Sequence, residues 1–343
     1  MAAPSRISSF IRALAITFGI GIVAVGALRF FGVIGDSRNP NDPAELIRQA
    51  TESLEAVRLR TPADRRPASF DSVLTPLDNI LAQSRDLLRS DAYDPVNDYE
   101  KLRELTIPVI HIATQADSLA RAETGMWTKE YRFNSQKAEA CQYLANALWE
   151  RINRQAPSQD GFFAADAPAY PLADMVELRR ILDTGVQADP ENTELLYARG
   201  ILNRAEGLFA PAAKDFDQAL SIRNEFPGAW NTLGLTRIAL KEFDKAEEAF
   251  ERAREQVLGQ AEKLGQDPGT EYSAILYNLA MFHENLAAYY ARENRMAPTV
   301  EYQRLLARHA DGARRYLEEF LQHEPAESPD AEIARTKLRA LGQ

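Results

Sequence analysis

Between residues 193 and 260, one arrangement of apolar and small residues is written twice at a spacing of 34 residues. Within each copy these residues recur three, four and seven positions apart, which is the spacing of one helix face. The matched pairs are Leu196 and Trp230, Gly200 and Gly234, Phe209 and Phe243, Ala212 and Ala246, Phe216 and Phe250, and Ala219 and Ala253. A period of this size predicts stacked units of two helices, because one unit cannot bury its apolar face alone.

The small residues in each copy predict close packing between the two helices. In the second copy Trp230, Leu233 and Gly234 lie on one face of the first helix, since residues three and four apart are neighbours. A glycine there costs the helix about 1 kcal/mol relative to alanine, so we expect its missing side chain to let the partner helix approach. We expect Ala246 to serve the same purpose, with Phe250 and Trp230 filling the space around the small residues.

The second copy reads W-x-x-L-G at 230–234 and A-x-x-x-F at 246–250, and this resembles the tetratricopeptide repeat (TPR). The tyrosine usual in that family late in the first helix is Asn203 in one copy and Arg237 in the other, and the usual final proline is absent from both. The resemblance implies an all-α fold, a TPR-type solenoid of helical hairpins.

Helical spacing of apolar residues continues on both sides of the clear repeats. The predicted organisation is an N-terminal segment at 1–35, a polar linker at 36–43, a helical module at 44–128, a TPR solenoid at 129–325 with clear repeats at 193–226 and 227–260 and divergent ones before and after, and a capping helix at 326–343. The module at 44–128 is either a set of degenerate repeats or a separate fold. Pro108 falls inside one of its helical patterns, so we expect a kink or a break there.

The N-terminal segment predicts a membrane anchor. Residues 13–34 are almost uniformly apolar and would form about 33 Å of helix, enough for a hydrocarbon core of about 30 Å. A cleaved signal peptide is the alternative, with Arg6 and Arg12 before the apolar stretch and a small-residue site at Val25-x-Ala27. We expect a single-pass protein of the bacterial inner membrane, with a transmembrane helix before the helical module and the body outside the cytoplasm.

The charge balance limits the classes of partner. The chain carries a net charge of −10, and its first 35 residues contain three arginines and no acidic residue, which leaves −13 for the remainder. Nucleic acid binding needs clustered lysine and arginine, so we expect no nucleic acid partner. The expected partners are a protein or a peptide, and the lipid bilayer through the first helix, while a homo-oligomer stays open.

No motif for catalysis, a cofactor or a metal ion stands out in the sequence. A phosphate loop, a G-x-S-x-G elbow, a dinucleotide fingerprint and Cys/His metal spacing are all missing, so we expect a non-catalytic protein without cofactor. His283-Glu284 lacks the second histidine of a zinc protease, since position 287 is alanine. We expect His309 and His323 to face solvent, and Cys141 to be a small core residue.

The resemblance also implies a binding face, because TPR solenoids hold a peptide or a partner helix on the concave face lined by their first helices. Mapped onto the clear repeats, that face is Tyr197, Ile201, Arg204, Asn231, Leu235 and Ile238. TPRs that grip a carboxylate use lysine and asparagine where this chain has Tyr197 and Ile201, so an apolar or amphipathic segment is the expected ligand. The alternative is that these residues only pack against helices of the same chain.

Two adjacent aromatic residues, Phe162 and Phe163, lie in a stretch rich in proline, alanine and aspartate between two predicted helices. They are a second candidate contact, either with a partner or with the solenoid itself. The leading functional hypothesis is a membrane-anchored scaffold that binds a partner protein. A self-associating assembly protein and a regulatory role of residues 44–128 with a small ligand are the alternatives.

Overall fold

The computed structural model describes residues 41–60, 70–124, 132–155 and 170–342. Within these ranges the chain forms twelve α-helices and no β-strand. They are α1 (Pro43–Arg58), α2 (Asp71–Arg89), α3 (Tyr99–Thr124), α4 (Phe133–Gln155), α5 (Leu172–Ala188), α6 (Thr193–Ala205), α7 (Phe209–Ile222), α8 (Pro227–Ala239), α9 (Phe243–Leu264), α10 (Gly269–Met296), α11 (Val300–His323) and α12 (Pro329–Leu341). The all-α fold expected from the sequence is confirmed for these residues.

The chain divides into two compact units, residues 1–80 and residues 81–343. In the first unit, α1 begins where the Asp42 side chain accepts a hydrogen bond from the Ala44 amide and Pro43 occupies the first turn. Leu46, Ala50 and Leu54 of α1 are buried at intervals of four residues. This spacing places them on one face of the helix, which is why the charged residues between them remain accessible.

In the second unit the helices pair as successive hairpins, α4 with α5, α6 with α7, α8 with α9 and α10 with α11. Each second helix also packs on the first helix of the following hairpin, and the first helices α4, α6, α8 and α10 contact one another in order. Helix α3 packs on α4, and α12 packs on α11. Among the described helices, the main contacts of each hairpin are with its neighbours in sequence, which is the repeat-type arrangement that the 34-residue period predicts.

The two clear repeats share the same turn between their helices. Gly207 and Lys241, which are 34 residues apart, both adopt left-handed backbone conformations, with φ of 75° and 62°. The residue after each of them makes an equivalent backbone hydrogen bond. The Leu208 amide donates to the Asn203 carbonyl at 2.8 Å, and the Glu242 amide donates to the Arg237 carbonyl at 2.9 Å. These bonds satisfy carbonyl groups at the end of the first helix, so the turn geometry persists although only one copy has glycine.

The predicted packing residues of the repeats lie in the hydrophobic core, with one exception. The buried ones are Leu196, Gly200, Ala212, Phe216, Leu233, Gly234, Ala246 and Phe250. Trp230 is only partly buried: its indole Nε1 donates to the Asn224 carbonyl at 2.9 Å, and the Arg252 guanidinium lies 5.2 Å from its ring centroid. The space against Gly234 is filled by Phe250 instead.

Two local expectations need correction. A break at Pro108 is wrong, because α3 continues from Tyr99 to Thr124 through this residue. Leu105 and Val109 on either side of the proline are buried, and their packing offsets the cost of about 3 kcal/mol that a proline imposes on a helix interior. The solvent-facing position expected for His309 is also wrong, since this side chain is 4% exposed.

The membrane localisation is also corrected. No helix in the described ranges has both the length and the apolar character that crossing a bilayer requires. The predicted anchor at residues 13–34 lies outside the described residues. The described residues therefore give no support to the single-pass localisation or to the lipid bilayer as a partner.

Candidate functional site

The first helices α4, α6, α8 and α10 form a continuous surface, which we call the first-helix face. Polar side chains connect these helices across it. The Tyr197 hydroxyl on α6 lies 3.5 Å from the Thr232 hydroxyl on α8, and the Asn278 amide on α10 donates to the Asn231 side-chain oxygen on α8 at 2.9 Å. Asn278 was not predicted from the sequence, because the third repeat departs from the 34-residue period.

Tyr197 is a structural residue as well as part of this face. Its ring centroid lies 4.8 Å from that of Phe226 and 5.8 Å from that of Phe216. Burial raises the pKa of its phenol, and nearby Glu271 and Glu194 raise it further, whereas the Thr232 hydrogen bond and Arg204 lower it. Tyr197 is therefore influenced by acidic groups and by a basic group of the same face.

The apolar members of the predicted face are partly buried by the chain itself. Ile201 packs against the core between the first clear hairpin and the second, while Leu235 and Ile238 pack against the core that α9, α10 and α11 share. Contact within the chain therefore explains much of their apolar character. All three nevertheless keep exposed surface, so both interpretations of these residues remain compatible with the structure.

Arg204 differs from the other partly buried arginines of the described residues. Each of the others has a carboxylate partner: Arg48, Arg151, Arg179, Arg199, Arg223, Arg237, Arg254, Arg314 and Arg335. Within the described part of the chain Arg204 has none. Burial lowers the pKa of its guanidinium, and the nearby phenols of Tyr170 and Tyr197 oppose this only in part. A partly desolvated cation without a counterion favours binding of an anionic group from outside.

Two aromatic residues extend the first-helix face beside Arg204. Tyr170, immediately before α5, lies with its ring centroid 5.6 Å from that of Trp149 on α4. Both side chains are partly buried. Neither residue was predicted from the sequence, because the pattern along the chain does not show which helix Tyr170 approaches. Aromatic rings next to a cation are typical of sites that bind peptide side chains.

Phe162 and Phe163, the second predicted contact, lie outside the described residues.

Cys141 is fully buried, and burial raises the pKa of its thiol to about 12, which keeps it protonated and unreactive at neutral pH. Among the described residues, no group of three or more histidine, cysteine or acidic side chains is placed to hold a metal ion.

No model of a known protein family matches the chain. Among solved structures, it is similar to MamA from Desulfovibrio magneticus RS-1, at 15% identity and a TM-score of 0.30 over 64% of this chain and 97% of that one. It is also similar to the human IFIT1 dimer with m7Gppp-AAAA, at 14% identity and a TM-score of 0.40 over 80% of this chain and 52% of that one. These values are too low to assign a function by similarity.

Proposed function

We propose that the chain is a non-catalytic scaffold whose first-helix face binds a segment of a partner protein, with an acidic group of that segment seated against Arg204. The unpaired guanidinium is the observation that carries the proposal. A charged hydrogen bond contributes about 1.5–3 kcal/mol when it is made, and this arginine makes none with a carboxylate of the described residues. The mapped residues Tyr197, Ile201, Asn231, Leu235 and Ile238 would supply the apolar and polar contacts along the segment.

The charges on this face also give the bound segment a direction. The Glu271 carboxylate and the Tyr197 hydroxyl both border Gly228: each lies 3.6 Å from the position that a Cβ on this glycine would take. Arg204 lowers the pKa of the Tyr197 phenol, whereas Glu271 raises it. A ligand that complements this face would carry an acidic group toward Arg204, an apolar group over Tyr197 and a basic group toward Glu271.

The test uses the full chain and a library of displayed peptides. We expect selection to enrich peptides with an acidic and an apolar residue at a fixed spacing. Fluorescence anisotropy should then show that Arg204→Gln lowers the affinity for these peptides by about 10-fold or more. Arg204→Glu should restore binding to a peptide whose acidic residue is replaced by lysine, because the charge pair is then reversed.

Arg295→Gln is the matched control, since Arg295 is an exposed arginine on α10 without a carboxylate partner in the described residues. This change should leave the affinity unaltered. Equal peptide binding by wild-type protein and Arg204→Gln would contradict the proposed site. Light scattering tests the self-association alternative: a dimer that Arg204→Gln dissociates would show that the occupant is a second copy instead of a different protein.

A further inference from the structure

Two buried histidines face each other between the helices of the longest hairpin. His283 on α10 is 3% exposed and His309 on α11 is 4% exposed, and their Nδ1 atoms lie 2.9 Å apart. This is a hydrogen-bond distance. The pair lies on a different hairpin from Arg204 and far from it in sequence. It is therefore distinct from the proposed anion-binding position.

Aromatic rings on both sides hold the two imidazoles in place. The Tyr316 ring stacks on His283, with centroids 5.4 Å apart and planes 18° from parallel, and the Tyr290 ring stacks on His309 at 5.6 Å and 12°. On α11, a Cβ at Gly312 would stand only 2.8 Å from the His283 ring. The glycine therefore makes room for the imidazole.

The geometry allows only certain numbers of protons on the pair. A hydrogen bond between two Nδ1 atoms needs one atom that carries a proton and one that accepts it. The outer Nε2 atom of His283 is buried without a hydrogen-bond partner, 3.9 Å from the nearest Glu247 carboxylate oxygen. When both rings are protonated, two N–H groups point at each other across 2.9 Å, so the hydrogen bond is replaced by repulsion.

We propose that the His283–His309 pair is a proton-operated latch, which holds α10 against α11 while one Nδ1 atom is unprotonated and releases the hairpin when both imidazoles are protonated. The charged and titratable groups that face the pair come from all three helices packed around it. They are Glu247 and Glu251 on α9, Tyr290 on α10, and Arg308, Asp311, Arg315 and Tyr316 on α11.

The balance of these groups opposes protonation of the closed hairpin. Burial, then His309, Arg308 and Arg315, lower the pKa of His283 to about 4, and Glu251 offsets only part of this. Burial and Arg308 also lower the pKa of His309, which Glu247 partly offsets. An exposed histidine has a pKa of about 6.5. The open hairpin therefore binds more protons than the closed one below about pH 6.5, and acid favours opening.

Hydrogen exchange on the full chain measures this opening directly. Protection factors for peptides from α10 and α11, corrected for the intrinsic pH dependence of exchange, should fall between pH 7 and pH 5. The expected change is about 25-fold for each imidazole that is neutral only in the closed hairpin. Peptides from α6 and α7 should change far less. Unchanged protection in α10 and α11 over this range would overturn the proposal.

A pair of variants separates the latch from a general effect of acid. The side chain introduced by His309→Asn can still hydrogen bond to His283 but does not titrate, so the pH dependence should become weaker. The control is His323→Asn, which removes a histidine of the same helix whose Nδ1 lies 3.7 Å from Asp267; it should behave as wild type. As a readout that needs no variant, NMR titration should give midpoints below the ordinary histidine pKa of about 6.5 for both His283 and His309. Midpoints near 6.5 for both would also overturn the proposal.

Discussion

The ring of Phe250 occupies the space beside the α-carbon of Gly234, where a Cβ would stand 2.6 Å from the ring atom Cε1. The relationship repeats one period earlier, where a Cβ on Gly200 would stand 2.5 Å from Cε1 of Phe216. Real side chains do not approach this closely. Both clear hairpins therefore depend on a glycine in the first helix and a phenylalanine in the second. The helices are close because one residue has no side chain.

Gly234→Ala should therefore destabilise the protein, although alanine is the better helix former. The added methyl group forces the Phe250 ring or the backbone to move, which costs about 1–3 kcal/mol, and the gain in helix propensity of about 1 kcal/mol offsets only part of this cost. Urea unfolding should show a lower midpoint with an unchanged slope.

Gly259→Ala is the matched control for this prediction. Gly259 lies within α9, and a Cβ there would meet no atom within 4 Å. We expect this substitution to raise stability by up to about 1 kcal/mol, because only helix propensity changes. If Gly234→Ala and Gly259→Ala were equally stabilising, close approach of the Phe250 ring would not be the reason for the glycine.

The left-handed turn residue of the second clear repeat offers a stabilising substitution. Lys241 has φ of 62°, where its counterpart Gly207 has φ of 75°. A side chain in this conformation costs about 1 kcal/mol, so Lys241→Gly should raise the free energy of unfolding by about 0.5–1 kcal/mol. Gly207→Ala should lower it by a similar amount, since a Cβ at Gly207 meets nothing within 4 Å and only the backbone term remains. A loss of stability in Lys241→Gly would contradict this account.

The two clear repeats fill equivalent positions between their helices with different kinds of residue. In the first, buried Asp215 accepts from Arg199 at 2.6 and 3.0 Å and from Asn203 at 2.8 Å. In the second, the positions equivalent to Arg199 and Asp215 are Leu233 and Ala249, and both are buried. The second repeat thus has an apolar contact where the first has an ion pair.

Asp215→Ala alone should cost about 3 kcal/mol, because it leaves Arg199 and Asn203 without their acceptor. The double change Arg199→Leu and Asp215→Ala reproduces the arrangement of the second repeat and should cost only about 1–2 kcal/mol. Thermal and urea unfolding of the single and double variants give the coupling between the sites. If the double variant lost as much stability as the sum of both single variants, the two positions would not be energetically coupled.

The 34-residue period predicted more of the fold than of the site. It located both clear hairpins, because the identities of small and bulky residues directly reflect helix contact. It also assigned Trp230 to the core together with Phe250, whereas Trp230 is partly exposed beneath Arg252. A repeat pattern gives the face on which a residue lies, but not which of two large rings fills the space beside a glycine.

The partner-binding residues remain a prediction, and the structure changes which of them is most informative. The sequence placed Arg204 among six residues of similar standing. Its lack of a carboxylate partner emerges only in three dimensions, because an arginine can also pair with a carboxylate on a different helix, as Arg151, Arg199 and Arg237 do. The same reason explains why His309 was expected to face solvent: its neighbours in sequence are charged, and the residues that bury it, Tyr290 and His283, belong to the preceding helix.

The sequence by itself determined that this chain folds into paired helices, since helix periodicity and the repeated glycines are local properties of the chain. Tertiary structure alone decided which charges are neutralised between helices, which histidines meet and which aromatic rings border the first-helix face. These outcomes depend on distances between side chains far apart in sequence, often on different helices. Charge pairing between helices and burial are properties of such distances, and no pattern along a single helix contains them.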